Sequence, residues 1–275
     1  MKSLRLVSVT FAFALFCSIT YGQGGVTAAE MAYAQNDFVP GDEIIFEDDV
    51  SGEKMGEFPS QWDLLNGNAE IARVNGENAI LFIEWTEITP LMKMPRNYLP
   101  EIFTVEFDFY VPKETNGYWK FFLKEPDNDN AFVTFECWAH AKNNVEFKTD
   151  WLTTSGDWRN SIVEVDLSRA GWHRLSLSFN RRALKIYVNG RRVVNVPNVS
   201  QAGWFTASAA SDERADFFLR NIRIAKGAVP LYDRMMSDGK FITFGITFDV
   251  GKSTIKPESM GEINRIATLM KETSF

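Results

Sequence analysis

The stretch Trp172-His-Arg-Leu-Ser-Leu-Ser-Phe-Asn-Arg-Arg-Ala-Leu-Lys-Ile-Tyr-Val-Asn-Gly-Arg-Arg-Val-Val194 decides the fold. Polar and apolar residues alternate from Arg174 to Phe179, and the alternation returns from Leu184 to Val188 with Tyr187 on the outward side. A period of two is that of a strand with one buried face. Asn189-Gly190 supplies a tight hairpin turn before a third strand begins. The stretch therefore predicts an antiparallel meander in an all-β domain.

The chain before and after this stretch carries the same pattern in short segments, separated by turn formers such as Asn75-Gly76. About ten to twelve short strands at this spacing predict a two-sheet antiparallel sandwich. Gly52–Asn68 is expected to be a loop. Strands are predicted from Asp42 and at Ala69–Val74, Ala79–Trp85, Phe103–Val111, Tyr118–Leu123, Ala131–Ala139, Val145–Trp151, Ser161–Asp166, Trp204–Ala209 and Ala215–Ile224.

The meander also carries a family resemblance. Trp172-His173-Arg174, followed by alternating apolar residues and by Leu184-Lys-Ile-Tyr-Val-Asn-Gly190, resembles the late strands of the laminin-G-like and concanavalin-like jelly-roll families. Arg220–Ile224 after Phe217-Phe218-Leu219 is similar to their closing strand. The resemblance implies a mainly β, two-sheet antiparallel jelly-roll sandwich over residues 39–228. It implies little about the ligand.

The first 22 residues have the features of a secretory signal peptide. A short basic region with Lys2 and Arg5 precedes an apolar run, and small residues occupy the expected cleavage positions. Residues 23–38 are expected to form a flexible leader. Export is therefore expected, and the OmpA-like resemblance described next implies the periplasm or outer membrane of a Gram-negative-type bacterium.

A second unit is expected after a linker at residues 229–238. Phe241–Phe248 alternates like a strand, and Pro257 precedes an apolar stripe of helical period. Phe248-Asp-Val-Gly-Lys-Ser-Thr-Ile-Lys-Pro-Glu-Ser259 resembles the start of the OmpA-like peptidoglycan-associating domain, so residues 239–275 are expected to be a truncated copy of it. The peptidoglycan-gripping residues of that family lie further downstream and have no counterpart here.

The composition limits the classes of partner and of chemistry. Because Lys2 and Arg5 leave with the signal peptide, the formal net charge changes from −7 to −9, and an acidic chain without basic clusters argues against nucleic acid. Cys17 leaves too, so Cys137 has no cysteine to pair with and is expected in the core. The two histidines have no ligand-spaced partners, which argues against a zinc site or a nucleophilic triad.

No catalytic residue is predicted. Some jelly rolls hydrolyse β-glucans with carboxylates at alternate positions of one strand. Glu106-Phe-Asp108 and Glu164-Val-Asp166 come near that pattern, but each lacks the second Glu and is more simply explained by outward polar positions on a strand whose inward positions are apolar. Asp127 and Asp129 offer oxygen ligands suited to calcium, and the same residues are typical of an ordinary turn.

A glycan-binding face is predicted around residues 132–140. Glu136, Trp138 and His140 share one face of this strand, whereas Val133, Phe135 and Cys137 suit the core. An indole beside hydrogen-bonding groups suits a sugar ring, and Tyr118 and Lys120 extend the face from the neighbouring strand. The alternative is that Trp138 only covers the sheet beneath a loop.

Three hypotheses follow from the sequence. The first is a non-enzymatic envelope protein with a glycan- or protein-binding sandwich, tethered to peptidoglycan through an OmpA-like module in its full-length form, with no cofactor unless Asp127 and Asp129 bind calcium. The second is a glycoside hydrolase of concanavalin-like fold. The third is a purely structural envelope domain. Fold alone does not decide between them.

Overall fold

The computed structural model describes residues 37–112, 117–139, 145–167, 170–211, 217–227, 246–249 and 251–272. These residues form thirteen strands, a 3-10 turn (Pro257–Ser259) and one helix, α1 (Met260–Glu272). The strands are β1 (Glu43–Asp48), β2 (Trp62–Val74), β3 (Glu77–Pro90), β4 (Ile102–Val111), β5 (Gly117–Lys124), β6 (Ala131–Ala139), β7 (Val145–Leu152), β8 (Trp158–Val165), β9 (Gly171–Asn180), β10 (Ala183–Val188), β11 (Arg191–Val196), β12 (Trp204–Ser211) and β13 (Phe217–Lys226).

The strands form two sheets that are continuous through β3. The hydrogen-bonded order is β11-β10-β9-β4-β13-β3-β12-β5-β6-β7-β8, with β1 beside β13 and β2 beside β3. The early part of β3 pairs with β13, and its later part pairs with β12. We call β11-β10-β9-β4-β13-β1 the first sheet and β3-β12-β5-β6-β7-β8 the second sheet.

The hydrophobic core lies between the two sheets. The Phe107 ring of β4 is 4.5 Å from the Phe121 ring of β5 and 5.9 Å from the Phe205 ring of β12, measured between ring centroids. Cys137 is buried in this core, as predicted. Burying each large apolar side chain contributes about 1.5–3 kcal/mol, so the alternating apolar positions determine which face of every strand turns inward.

The predicted meander is confirmed as β9, β10 and β11. Asn189 and Gly190 have φ of 49° and 78°, the left-handed angles that a tight hairpin turn requires. Tyr187 points away from the core, as predicted, but it is not exposed: Phe38 packs edge-on against its ring, and only 1% of its surface remains accessible.

The loop predicted at Gly52–Asn68 is wrong in its second half. Residues 62–68 belong to β2, which pairs with β3 over its whole length. Trp62 is 3% exposed, packs on Phe46 and donates from Nε1 to Asp48 Oδ2 at 2.9 Å. Two register shifts between Leu64 and Asn68 interrupt the alternation that would have revealed the strand.

The two ends of the described chain meet at the first sheet. Asp37 and Phe38, which the sequence places in the leader, contact β10. The predicted helix is confirmed as α1, and a Cβ on Gly261 would collide with the Phe38 carbonyl oxygen, so the start of α1 lies against this segment.

The strand predicted at Phe241–Phe248 lies mostly outside the described residues. None of the helical residues described here forms a segment long and apolar enough to span a bilayer.

Candidate functional site

The outer face of the second sheet is arranged in rows of side chains that cross the strands. Opposite residues in neighbouring antiparallel strands point to the same side. One row contains Ala210, Tyr118, Trp138 and Glu146, and the adjacent row contains Ser208, Lys120, Glu136 and Lys148. The sequence-predicted site residues of β5 and β6 therefore lie together on one face.

Four of these side chains form a closed cluster, which we call the platform: Tyr118, Lys120, Glu136 and Trp138. Trp138 Nε1 donates to Glu136 Oε2 at 2.7 Å, and Lys120 Nζ is 3.1 Å from Glu136 Oε1. Lys120 Nζ also lies 4.7 Å from the centre of the Tyr118 ring, which is 4.4 Å from the Trp138 ring. Each member is thus held by two others.

The electrostatics of the platform follow from the burial of Glu136. This residue is only 7% exposed, and a buried carboxylate is costly unless charged or polar groups surround it. Lys120 supplies the opposite charge, and the Trp138 indole N–H supplies a hydrogen bond. Glu136 therefore fixes the orientation of the Trp138 ring, while Tyr118, Lys120 and Trp138 stay partly accessible. The fifth predicted residue, His140, lies outside the described residues.

A second polar cluster on the same face was missed by the sequence analysis. Glu87 Oε1 accepts from Lys124 Nζ and from Thr206 Oγ1, both at 2.7 Å. The Lys124 ammonium lies 4.6 Å from the centre of the Trp204 ring. Ordinary alternation along β12 would have placed Thr206 on the outer face, but nothing in the sequence indicates that β12 lies between β3 and β5.

The outer face of the first sheet is a network of ion pairs. Arg174 binds Asp108 at 3.0 Å and Glu106 at 3.2 Å, and Arg223 Nη1 binds the other oxygen of Glu106 at 3.2 Å. Burial disfavours the charged form of Arg174, but Glu106 and Asp108 outweigh that effect and raise its pKa above the ordinary value. The outward positions predicted for Glu106 and Asp108 are confirmed, and both carboxylates are bound to arginines.

The N-terminal segment is attached to the same face. The Asp37 carboxylate binds Lys185 at 2.7 Å and Arg192 at 2.8 Å, and accepts from the Tyr187 hydroxyl at 3.0 Å. Burial raises the pKa of Asp37, but the hydrogen bonds and charges of its partners outweigh burial and leave that pKa below 3.8. Arg223 Nη2 donates to the Gly41 carbonyl at 2.7 Å, which holds the segment further along.

The calcium candidates lie in a turn between β5 and β6. Asp127 has a positive φ of 55°, and Asp129 is paired with Arg96 at 3.1 Å. Across the part of the chain that the structure describes, no three His, Cys, Asp or Glu side chains are grouped closely enough to hold a metal ion. Calcium binding by Asp127 and Asp129 stays a prediction.

Comparison with known proteins gives a fold and no family. No protein-family model matches the chain, and no curated protein matches it. An endo-1,3-beta-glucanase from Streptomyces sioyaensis is similar in structure, with a TM-score of 0.51 and 14% identity over 70% of this chain and 100% of that chain. A Bacillus licheniformis beta-glucanase has a TM-score of 0.48 and 12% identity, over 67% of this chain and 99% of that chain. A Bacillus subtilis carbohydrate-binding module has a TM-score of 0.42 and 15% identity, over 60% of this chain and 96% of that chain.

At this level of identity the Streptomyces structure is evidence for the fold alone. The predicted mainly β jelly-roll sandwich, followed by a short C-terminal helix, is confirmed. The hydrogen-bonded strand order and the position of the core between the sheets agree with a two-sheet sandwich.

Proposed function

We propose that this chain is an exported, non-enzymatic glycan-binding protein that holds a sugar on the platform of Tyr118, Lys120, Glu136 and Trp138. The observation that carries the proposal is the closed geometry of that cluster. An aromatic surface whose orientation is fixed in advance loses little entropy when a ligand stacks on it. Tyr118 and Trp138 offer apolar ring faces for the C–H side of a sugar.

The polar members of the platform suit the hydroxyl groups of the same ring. A carboxylate oxygen has more than one lone pair, so Glu136 can bind Lys120 and Trp138 and still accept from a hydroxyl. Lys120 has three N–H donors and is 27% exposed at its side chain. The endo-1,3-beta-glucanase of similar fold acts on a β-1,3-linked glucan, which makes this class the first to test.

The cellular setting is part of the same proposal. The signal-like residues 1–22 support export, and the OmpA-like motif at Phe248–Ser259 supports attachment to peptidoglycan in a full-length form. Together they favour the periplasm or outer membrane of a Gram-negative-type bacterium. In this arrangement the sandwich presents its platform to a polysaccharide while the C-terminal unit belongs to the attachment.

The test is retention of the purified chain on insoluble laminarin, mixed-linkage β-glucan, arabinan and peptidoglycan. We expect retention on a glucan, and Trp138→Ala should weaken it at least about tenfold, a loss of about 1.4 kcal/mol. Trp158→Ala is the matched control, because Trp158 is 55% exposed on β8 of the same sheet, away from the platform. Equal retention of both variants would refute the platform as the binding site.

A glycoside hydrolase is the second candidate, favoured by one observation. Glu146 and Glu164 lie directly opposite each other on β7 and β8, in the row of Trp138. Directly opposite residues have Cβ atoms about 4.5–5.5 Å apart, close to the carboxyl separation of retaining enzymes, about 5–5.5 Å. Glu164 is solvent-exposed on the edge strand, whereas an acid that must stay protonated is favoured by burial in an apolar pocket.

Zymography separates the two candidates. Clearing of laminarin or mixed-linkage glucan by the wild-type chain, lost in Glu146→Gln, would establish the hydrolase. Retention on the same polysaccharide without clearing supports the binding protein. The third hypothesis, a purely structural domain, requires neither retention nor clearing.

A further inference from the structure

Trp85 is a strongly exposed tryptophan that does not belong to the platform. It lies on β3 and is 63% exposed, among the most exposed large apolar side chains of the described residues. Glu87, two positions later, points to the outer face of the second sheet, where it binds Lys124 and Thr206. Strand alternation places Trp85 on that same face.

Register places Trp85 in the row of the platform. The pairing of β3 with β12 runs from Ile88 and Ala207 to Thr86 and Ala209, and continuing that register by one residue along each strand brings Trp85 beside Ala210. Ala210 in turn lies opposite Tyr118, and Tyr118 lies opposite Trp138. The row therefore reads Trp85, Ala210, Tyr118, Trp138 across four neighbouring strands.

The dimensions of the row suit an extended ligand. Three inter-strand spacings cover about 14 Å, which is too long for a single sugar ring and suitable for several linked rings. Ala210, between the two aromatic groups, has the smallest side chain of the row, so this side chain does not obstruct a ligand that crosses the strands. A polysaccharide can therefore cross the strands with an aromatic surface at each end of the contact.

The backbone around Trp85 is built to present it. Glu84 has a φ of 58° and Gly67, across the β2–β3 pair, has a φ of 76°. The register between Asn66 and Asn68 is shifted there, and Asn66 Nδ2 donates to the Trp85 carbonyl at 2.9 Å. A Cβ on Gly67 would collide with that carbonyl. Bulges of this kind re-aim a side chain, and left-handed non-glycine residues gather at functional sites.

We infer that Trp85, Ala210 and the platform form one ligand track, and that its ligand is an internal stretch of a polysaccharide lying across the strands. The inference rests on the proposed glycan-binding function and names its substrate class: a polymer, bound through several consecutive rings. Trp85 supplies the second stacking surface, and the small size of Ala210 keeps the path between the surfaces open.

The test is a chain-length series measured by titration calorimetry. The probes are laminaribiose to laminarihexaose, with arabino-oligosaccharides of the same lengths as a second series. For the wild-type chain we expect affinity to rise with length. Trp85→Ala should lower affinity for the longer members about three- to tenfold, the value of one aromatic contact, and leave the shortest unchanged. Trp158→Ala is the exposed-tryptophan control and should change nothing.

A second variant tests the path without removing an aromatic group. Ala210→Leu places a larger side chain between the two surfaces and should also weaken the long oligosaccharides selectively, with the melting temperature confirming the fold. If Trp85→Ala matches Trp158→Ala at every length while Trp138→Ala abolishes binding, the track is refuted and the platform stands. An equal loss at all lengths refutes it too. A wild-type chain that binds neither series refutes both proposals.

Discussion

The two outer faces of the sandwich use polar side chains in opposite ways. On the first sheet, Arg174 binds both Glu106 and Asp108, and the Asp37 carboxylate binds Lys185 of β10 and Arg192 of β11. On the second sheet, polar groups hold aromatic rings whose faces stay partly accessible, as Glu136 does for Trp138. The polar side chains of the first face bind other parts of the chain, whereas those of the second face hold accessible aromatic rings.

The difference shows that charge density alone is a poor guide to a binding site. Arginine and carboxylate side chains on the first sheet satisfy each other and the N-terminal segment, as in the contact between Arg223 and the Gly41 carbonyl. Their desolvation is offset by partners within the protein, so these charges have a structural use of their own. On the second sheet Tyr118 and Trp138 contact each other and are held by Lys120 and Glu136, yet both rings stay partly accessible, which is why we assign binding to that side.

The largest expected effect comes from breaking the ion-pair network of the first sheet. Arg174→Ala removes one partner from each of Glu106 and Asp108, and we expect the free energy of unfolding to fall by about 2–3 kcal/mol, at or below the lower end for a buried pair because Arg223 and Asn221 still bind the two carboxylates. Urea denaturation measures it. Arg181→Ala, which breaks an exposed pair with Glu101, should change stability by under about 1 kcal/mol. Glycan retention of Arg174→Ala should equal that of the wild type below its melting temperature, and a selective loss of retention would contradict the division between faces.

A smaller effect is expected from the carboxylate of the platform. Glu136→Ala leaves the Trp138 N–H without this acceptor and Lys120 without this counter-charge, so stability should fall by about 1–2 kcal/mol. Glycan affinity should fall about tenfold, because the indole is no longer held in the binding orientation. Glu136→Gln keeps an oxygen acceptor and should retain more affinity than the alanine variant. Equal affinity of the wild type and Glu136→Ala would mean that Trp138 is held by other contacts.

The platform could be predicted from the sequence because it depends on short-range rules only. Strands β5 and β6 are adjacent in the chain and pair as antiparallel neighbours. Alternation then gives the face of each residue, and the register brings Tyr118 opposite Trp138. The same rules gave the meander of β9 to β11, including the turn at Asn189-Gly190.

The ligand track and the ion-pair network could not be predicted in the same way. Trp85 is aligned with the platform only through β12, which follows β3 by more than a hundred residues and lies between β3 and β5. The left-handed Glu84 also interrupts the alternation of β3 just before Trp85, and the register of the neighbouring strand β2 is shifted there. Likewise, Arg174 and Glu106 are 68 residues apart in sequence, and no local pattern shows that β4 and β9 are neighbours.

The smallest effect concerns the attachment of the N-terminal segment. Asp37→Asn removes the charge that binds Lys185 and Arg192 and should loosen residues 37–41 by at most about 1 kcal/mol, since the carboxylate is partly exposed. The reporter is hydrogen exchange at the Gly41 amide, which donates to Thr104 Oγ1 at 2.9 Å and should exchange up to about fivefold faster in the variant. Asp63→Asn, an exposed change on β2, is the control.

The pH dependence of that exchange gives the sign of the effect. The pKa of Asp37 is lowered in the folded chain, so its stabilisation is fully present above its ordinary pKa of 3.8 and is lost as the pH falls through the lower folded value. The ratio of the Gly41 exchange rates of the variant and the wild type should therefore be constant above about pH 5 and approach one at more acidic pH. A ratio that stays above one and constant throughout would contradict a role for the Asp37 charge. Charge pairing would then distinguish the first face from the second only at the centre of the first sheet, around Arg174.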